Sequence, residues 1–280
     1  MTDDPQRHPV FTPPVAPLIV ARPVHFLPYA RAIVWSFPDV EMTRRQAVAD
    51  LLLAFVAFAF AYFGLDLLLY LLFHEDSSFS PFWTAVPLGL TILLFVGGVL
   101  YARKQAPVTL GLGKPPWAVA TVGTLLAVPA CYASVMVVGI TYVAIAGFEE
   151  TVEDRRELLE ILPEPGVWSL LVIGPFTGLH EEVLFRGFIL TRMVVLFRSK
   201  VAAIVASSIL FGVAHVYQGV AGIFQTAAIG MVLATLVTLT RSLWPAIVAH
   251  GVFNSLQLAM MPIFRGFLEN AESFTDTPAG

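Results

Sequence analysis

Two adjacent glutamates and an arginine stand in an otherwise apolar part of this 280-residue chain. Glu181, Glu182 and Arg186 fall within the hydrophobic run 167–190. An ionisable side chain in hydrocarbon costs at least ~2–3 kcal/mol, so such groups usually face a polar cavity and have a function there. Glu182 and Arg186 are four residues apart and would share a helix face, where they can pair. Glu181 points about 100° away and is free for another task.

Two later apolar segments carry further polar groups. His215 ends the string Phe211-Gly212-Val213-Ala214-His215, which begins 25 residues after Arg186. In the last hydrophobic segment, His250 precedes Asn254 by four residues. Any one of these groups alone would be interpreted as a packing or helix-locking residue. Together they put polar side chains on three membrane segments, which predicts a membrane-embedded enzyme.

The composition indicates an integral membrane protein. Hydrophobic residues make up 57% of the chain and charged residues 13%, with a mean hydropathy of +0.79, whereas an ordinary soluble domain is about 25% charged. The lipid bilayer is therefore the predicted environment, and the net charge of −4 gives no reason to expect nucleic acid as a partner. The single cysteine, Cys131, excludes an intrachain disulfide and a cysteine-based metal cluster.

The hydrophobic segments predict an all-α, polytopic bundle of about seven transmembrane helices, with a range of six to eight. A membrane-spanning helix needs about 20 apolar residues, and Pro, Gly and charged clusters mark the boundaries. The predicted helices are 47–73, 82–101, 117–147, 167–196, 201–217, 221–240 and 243–262.

Four parts of the chain follow from these helices. Residues 1–46 form a cytoplasmic or interfacial tail without a cleavable signal peptide, and 47–165 hold the N-terminal transmembrane helices. Residues 166–262 hold the catalytic helices, and 263–280 form a C-terminal tail. The segment 149–162 has amphipathic spacing and is expected to lie on the outer membrane surface.

The distribution of basic residues predicts a cytoplasmic N-terminus by the positive-inside rule. This orientation places on the cytoplasmic side Arg44, Arg45, Arg103, Lys104, Lys114, Arg192, Arg198, Lys200 and Arg241. The strong preference for Arg over Lys indicates a GC-rich bacterial source and hence the bacterial plasma membrane. His215 falls near the outer end of its predicted helix while Glu181 and His250 fall nearer the cytoplasm, so a shared site requires a shifted or tilted helix, or a deep cavity.

Three motifs in series resemble those of a known family. Glu181-Glu182-Val183-Leu184-Phe185-Arg186-Gly187 resembles the EExxxR-G signature of the CPBP family, which includes type II CAAX prenyl endopeptidases and bacteriocin-processing or immunity proteins. The strings Phe211 to His215 and His250 to Asn254 resemble its FxxxH and HxxxN motifs. The resemblance covers about 165–262. It implies an intramembrane endopeptidase that cleaves a membrane-associated or lipidated protein or peptide.

The resemblance also implies roles for the motif residues. Glu181 would act as general base on a water that His215 helps to hold, while His250 and Asn254 would donate hydrogen bonds to the oxyanion. Glu182 and Arg186 would fix the geometry of their helix. A rival scheme binds zinc through Glu181 or Glu182 with His215 and His250. The metal-free scheme is preferred because no HExxH pair is present.

Two other functions compete with a protease. In a proton-coupled transporter, Glu181, Glu182, His215 and His250 would form a proton relay. The polar groups occupy one half of the chain without a detectable internal repeat, which favours the enzyme. The other competitor is a non-catalytic membrane protein of the bacteriocin-immunity type, which the intact motif set disfavours. The sequence carries no signal for the oligomeric state.

Three further polar residues lie outside these motifs. His180 has no partner at a useful spacing and is interpreted as structural. Asp50 and Asp66, in the first predicted helix, would either line a polar path or, for Asp50, be solvated at the cytoplasmic end.

Overall fold

Eight helices and no strands make up the part of the chain that the structure describes, which confirms the predicted all-α bundle. This computed structural model describes 42–64, 67, 68, 71, 81–113, 115–161 and 164–275, and gives only the backbone at 81–83, 154, 155, 157, 158, 160, 161 and 268–275. The predicted N-terminal tail up to residue 41, Asp66, Lys114 and the last five residues lie outside the described residues.

The helices follow the predicted order along the chain. They are α1 (Arg44–Gly64), α2 (Pro81–Arg103), α3 (Trp117–Ala146), α4 (Phe148–Ile161), α5 (167–197), α6 (Lys200–Val213), α7 (Gly219–Thr240) and α8 (Trp244–Thr275). The amphipathic helix expected at 149–162 is α4. The prediction was wrong at two ends: α6 stops at Val213 and not at 217, and α8 continues past 262 to Thr275.

Five helices are long and apolar enough to cross a membrane, namely α1, α2, α3, α7 and α8. Among the described residues, α6 is a shorter apolar helix of 14 residues, and α5 differs because its charged groups lie inside the protein. Every residue from His180 to Arg192 is buried. The bundle therefore surrounds α5, and its charged side chains contact other helices in place of lipid.

The connection between α5 and α6 sets the height of His215. Arg198 adopts a left-handed conformation with φ of 54° and ends α5, and the Ser199 hydroxyl then accepts a hydrogen bond from the Ala202 N–H at 3.2 Å, which caps α6. Glu181 lies 17 residues before Arg198 and His215 lies 16 residues after Ser199. At 1.5 Å per residue these separations correspond to about 26 and 24 Å from this reversal. The antiparallel pair thus brings them to the same level, which removes the mismatch in depth expected from the sequence.

Glycines allow α5 and α8 to approach until their backbones touch. A Cβ on Gly178 would lie 2.6 Å from the backbone nitrogen of Gly251, and a Cβ on Gly251 would lie 2.9 Å from the Cα of Pro175. One turn further along, the Ser255 hydroxyl donates to the Leu170 carbonyl at 2.7 Å. Small residues are the usual means of close helix packing in membranes. This contact holds His250, the neighbour of Gly251, against α5.

Two π-helical segments interrupt α5 on either side of the glutamates. Ser169–Ile173 and Val183–Ile189 flank the α-helical segment Gly174–Glu182, and Leu190–Phe197 completes the helix. A π-turn adds one residue to a helical turn and is frequent at functional sites. The segment Val183–Ile189 begins directly after Glu182 and contains Arg186, so the helix changes its winding at the motif itself.

A buried ion cluster joins α1, α2 and α5 away from the glutamates. Asp50 is fully buried and accepts from the Arg103 guanidinium at 2.7 Å and from Arg192 Nε at 3.3 Å. Arg192 also donates to Gln105 Oε1 at 2.8 Å, and its guanidinium lies 3.9 Å from the centre of the Phe188 ring. The interpretation of Asp50 as solvated was therefore wrong. Arg192, counted among the cytoplasmic charges, is buried because Asp50 neutralises it.

The contact between α5 and α8 can be tested by filling it. Gly178→Ala should lower the free energy of unfolding by about 1–3 kcal/mol, because the added methyl group forces two backbones apart. Gly97→Ala is the matched control, since a Cβ at Gly97 of α2 meets nothing within 4 Å. Thermal unfolding of both purified variants in the same detergent gives the comparison. Equal melting temperatures would contradict the close contact.

Candidate active site

Glu181, His215 and His250 converge inside the bundle from three different elements. Nε2 of His215 lies 3.9 Å from Glu181 Oε1, and Nε2 of His250 lies 3.6 Å from Glu181 Oε2. All three side chains are buried. Glu181 is on α5, His250 is on α8, and His215 lies in the turn between α6 and α7. The structure therefore brings together the residues that the sequence singled out on separate segments.

Glu182 links α5 to His250 through one carboxylate oxygen. Its Oε1 accepts from Arg186 Nη1 at 2.7 Å and from His250 Nδ1 at 2.8 Å, and the side chain is completely buried. The spacing of Glu182 and Arg186 indicated the ion pair between them. The bond to His250 was not foreseen, because it joins residues 68 positions apart. Glu182 thus positions His250 as well as pairing with Arg186.

The hydrogen bonds of the two histidines determine which ring nitrogen faces Glu181. His215 Nδ1 lies 2.8 Å from the Phe211 carbonyl oxygen, which can only accept, so Nδ1 carries the proton. His250 Nδ1 likewise donates to Glu182. In the neutral rings, each Nε2 then has a lone pair directed toward the Glu181 region. The Glu181 carboxylate and the two Nε2 atoms, which lie 3.6 and 3.9 Å from it, can all accept hydrogen bonds. A small donor such as a water molecule can therefore bridge them.

Phe211 holds the site together by ring contacts. Its ring lies 4.7 Å from the His215 ring, 5.8 Å from the His250 ring and 4.8 Å from the Phe185 ring. The Arg186 guanidinium lies 4.1 Å from the centre of the same ring, a cation–π geometry. Phe211 therefore packs against both histidines and the arginine. Its position four residues before His215 was the only sequence signal for this role.

Asn254 and His180 occupy the edge of the cluster. Asn254 lies one turn after His250 on α8, is half-buried, and makes no side-chain hydrogen bond to the described residues. Its amide is therefore free to bind another group. His180 is buried, with Nδ1 2.9 Å from the Phe176 carbonyl oxygen and its ring against Phe176. These contacts agree with a structural role for His180.

Two tyrosines near the cluster were missed by sequence reasoning. Tyr62, in the last turn of α1, stacks on Phe58 at 4.2 Å between ring centres. Tyr217 follows His215 in a short 3₁₀ turn, with 5.8 Å between the two ring centres. Tyrosines are common at membrane interfaces, so neither residue gave a distinctive signal in the sequence.

The candidate zinc ligands do not form a recognisable metal site. Within the described ranges, no three His, Cys, Asp or Glu side chains are arranged to hold a metal ion. The Nε2 atoms of the two histidines face Glu181, and the contact of His250 Nδ1 with Glu182 is compatible with either scheme, because a metal-bound histidine also donates its other N–H to a carboxylate. We therefore derive no catalytic step through zinc.

Comparison with known proteins gives one match. The family described as type II CAAX prenyl endopeptidase Rce1-like matches residues 163–256. The matched range contains α5, α6, α7 and α8 up to residue 256, and so contains the six candidate site residues, Glu181, Glu182, Arg186, His215, His250 and Asn254. No curated protein and no solved structure matches the chain.

The buried ion pair predicts different outcomes for two substitutions on α5. Arg186→Ala leaves the Glu182 carboxylate buried without its cation and should cost about 3–5 kcal/mol of stability. Glu181→Gln keeps the shape of its side chain and removes no Lys or Arg partner among the described residues, so its stability should be close to wild type. The yield of monodisperse protein after detergent extraction, together with the melting temperature, distinguishes them. Equal loss in both variants would show that the roles are divided wrongly.

Proposed function

We propose that this chain is an intramembrane protease that cleaves its substrate with a water activated by Glu181, on the premise that residues 163–256 match the Rce1-like type II CAAX prenyl endopeptidase family. Membership of this family implies intramembrane protease activity, and the five apolar helices identify an integral membrane protein. One observation supports the mechanism above all: the Glu181 carboxylate lies between two histidine Nε2 atoms at 3.6 and 3.9 Å.

The first step is attack by water on the scissile carbonyl carbon. A water bound beside Glu181 can donate one proton to the carboxylate and the other to Nε2 of His215, whose lone pair is set by the Phe211 carbonyl. Glu181 accepts the first proton as the water oxygen forms its bond to carbon. Burial of the three groups excludes bulk solvent, which strengthens their electrostatic effect on the developing charge.

The second step is collapse of the tetrahedral intermediate. The proton held by Glu181 passes to the leaving nitrogen, the C–N bond breaks, and the products are a carboxylic acid and an amine. The Asn254 amide can donate to the oxyanion throughout. His250 can donate from Nε2 only once it is protonated, because Nδ1 already donates to Glu182 in the neutral ring. Glu182 would stabilise that imidazolium as the triad aspartate does in serine proteases.

The proposed substrate is a membrane-associated or lipidated protein or peptide. The name of the matching family points to bonds near a prenylated cysteine, so in a host that prenylates proteins the reaction would remove a C-terminal tripeptide. In a bacterium, peptide maturation, processing of a membrane anchor or resistance to bacteriocins would be the corresponding roles. Mass spectrometry of the protein that accumulates uncleaved in a deletion strain would identify the natural substrate.

Cleavage itself can be measured with a quenched fluorescent peptide whose farnesylated cysteine is followed by three residues. Wild-type protein in detergent should release the fluorophore, and Glu181→Gln should abolish release because an amide cannot accept the water proton. Glu150→Gln is the matched control, since Glu150 is an exposed carboxylate on α4. The same peptide without farnesyl tests whether the lipid is required. Full activity in Glu181→Gln would contradict the proposed mechanism.

A chelation experiment separates the metal-free scheme from the zinc scheme. We expect cleavage to persist after exhaustive treatment with a chelator, and the purified protein to contain far less than one zinc per chain. A zinc site predicts the reverse, because the ion would supply both the activated water and the Lewis acid. Stoichiometric zinc that is lost with His215→Ala or His250→Ala would overturn the metal-free mechanism and leave the protease assignment intact.

A further inference from the structure

The site has few neutral groups that can donate a hydrogen bond to an oxyanion. Glu181 and Glu182 only accept, and Nδ1 of His215 and of His250 already donate to the Phe211 carbonyl and to Glu182. Arg186 is buried and lies over the Phe211 ring; its Nη1 donates to Glu182, and its Nη2, a charged donor, has no hydrogen-bond partner among the described residues. Among the candidate site residues Glu181, Glu182, Arg186, His215, His250 and Asn254, only Asn254 has a neutral donor that makes no hydrogen bond to a described residue. Because oxyanion sites commonly use two donors, we expect a second neutral hydrogen-bond donor close to Glu181 and the histidines.

Tyr217 is held next to His215 by the local backbone. Both residues belong to the short connection in which α6 ends at Val213 and a 3₁₀ turn runs from Val216 to Gln218. The His215 N–H bonds to the Gly212 carbonyl at 2.9 Å, and the Gln218 N–H bonds to the His215 carbonyl at 2.9 Å. These two bonds fix the turn on both sides of Tyr217. The tyrosine ring then lies 5.8 Å from the His215 ring and inclined to it by 32°.

The hydrogen bonds of Tyr217 leave its proton available. Its hydroxyl oxygen accepts from Gln218 Nε2 at 3.2 Å, and Gln218 Oε1 in turn accepts from the Thr226 hydroxyl at 3.2 Å. Thr226 is buried on α7, so this chain of bonds anchors the phenol to the bundle. No acceptor for the phenol proton lies among the described residues. The hydroxyl is therefore positioned as a donor.

Two further properties distinguish Tyr217 from Tyr62. The Tyr62 ring is stacked on Phe58, and no hydrogen bond to a described residue orients its hydroxyl. Tyr217 is 53% exposed, so a substrate chain that approaches His215 can reach it.

We infer that Tyr217 is a further catalytic residue, whose hydroxyl donates a hydrogen bond to the substrate oxygen on which negative charge develops when Glu181 activates water. This inference rests on the proposed function. Asn254 on α8 and Tyr217, beside His215, would be the two neutral donors, in addition to the Nε2 of a protonated His250. No bond to Tyr217 is made or broken, because the phenol keeps its proton and only shares it with the oxyanion. Its contribution is therefore to the rate of the chemical step.

The test is Tyr217→Phe in the full-length protein with the farnesylated fluorescent peptide. The ring and its contact with His215 remain, while the donor is removed. We expect kcat to fall by roughly 10²–10³-fold, as for loss of one oxyanion donor, with KM within about twofold of wild type and an unchanged melting temperature. A KM unaffected by the substitution separates a role in the transition state from a role in substrate binding.

Tyr132→Phe is the matched control. Tyr132 lies on α3 against Phe253, and its buried hydroxyl has no hydrogen-bond partner among the described residues, so the variant should keep wild-type kcat. Glu181→Gln is measured alongside. Wild-type kcat in Tyr217→Phe together with loss of cleavage in Glu181→Gln would overturn the donor role alone. Wild-type rates in both variants would overturn the donor role and the proposed mechanism together.

Discussion

The arrangement of the site depends on one buried carboxylate oxygen, Glu182 Oε1. It accepts a hydrogen bond from Arg186 Nη1, one turn further along α5, at 2.7 Å, and another from His250 Nδ1 of α8 at 2.8 Å. A carboxylate in low dielectric is stable only when its charge is compensated and its lone pairs are occupied. Arg186 supplies the compensating charge, and His250 supplies a second hydrogen bond to the same oxygen, while the buried Oε2 has no hydrogen-bond partner among the described residues. The requirement for compensation therefore also determines the orientation of the His250 imidazole, since the proton on Nδ1 leaves Nε2 to face Glu181.

Backbone contact makes this bond possible. A histidine on one helix reaches a glutamate on another at hydrogen-bond distance only if the two helices are close, and Gly178 and Gly251 remove the side chains that would keep them apart. At the junction of α6 with α7, Gly212 serves the same purpose, because a Cβ there would lie 2.4 Å from the Ile223 carbonyl oxygen. Gly212 and Gly251, in the second and third motifs, thus set how closely the helices approach, while the ionisable residues of the motifs set which hydrogen bonds and ion pairs form between them.

α5 carries two separate ion clusters and gives each a different environment. Glu182 and Arg186 are at the level of the histidines, whereas Arg192 meets Asp50 and Arg103 near the end of the helix. The second cluster joins α1 and α2 to α5 by hydrogen bonds, and so helps to bury the helix that carries Glu181 and Glu182. A helix with this much charge is stable in a membrane protein because protein surrounds it.

The sequence determined the parts of this structure that depend on local pattern. Apolar runs of about 20 residues predicted the long helices, because the thickness of the bilayer fixes their length. Spacing by four predicted the pairing of Glu182 with Arg186, and the motif series indicated the family later matched at 163–256.

Only the tertiary structure decided which groups meet across helices. The bond from His250 to Glu182, the burial of Asp50 against Arg192, and the level of His215 depend on helix order, on close contacts and on a reversal at Arg198. The place of Tyr217 beside His215 belongs to the same class, since it arises from a turn that ends α6 four residues before the predicted end. Periodicity describes one helix at a time. The partner of a buried charge is set by packing between segments far apart in the chain, which no local pattern contains.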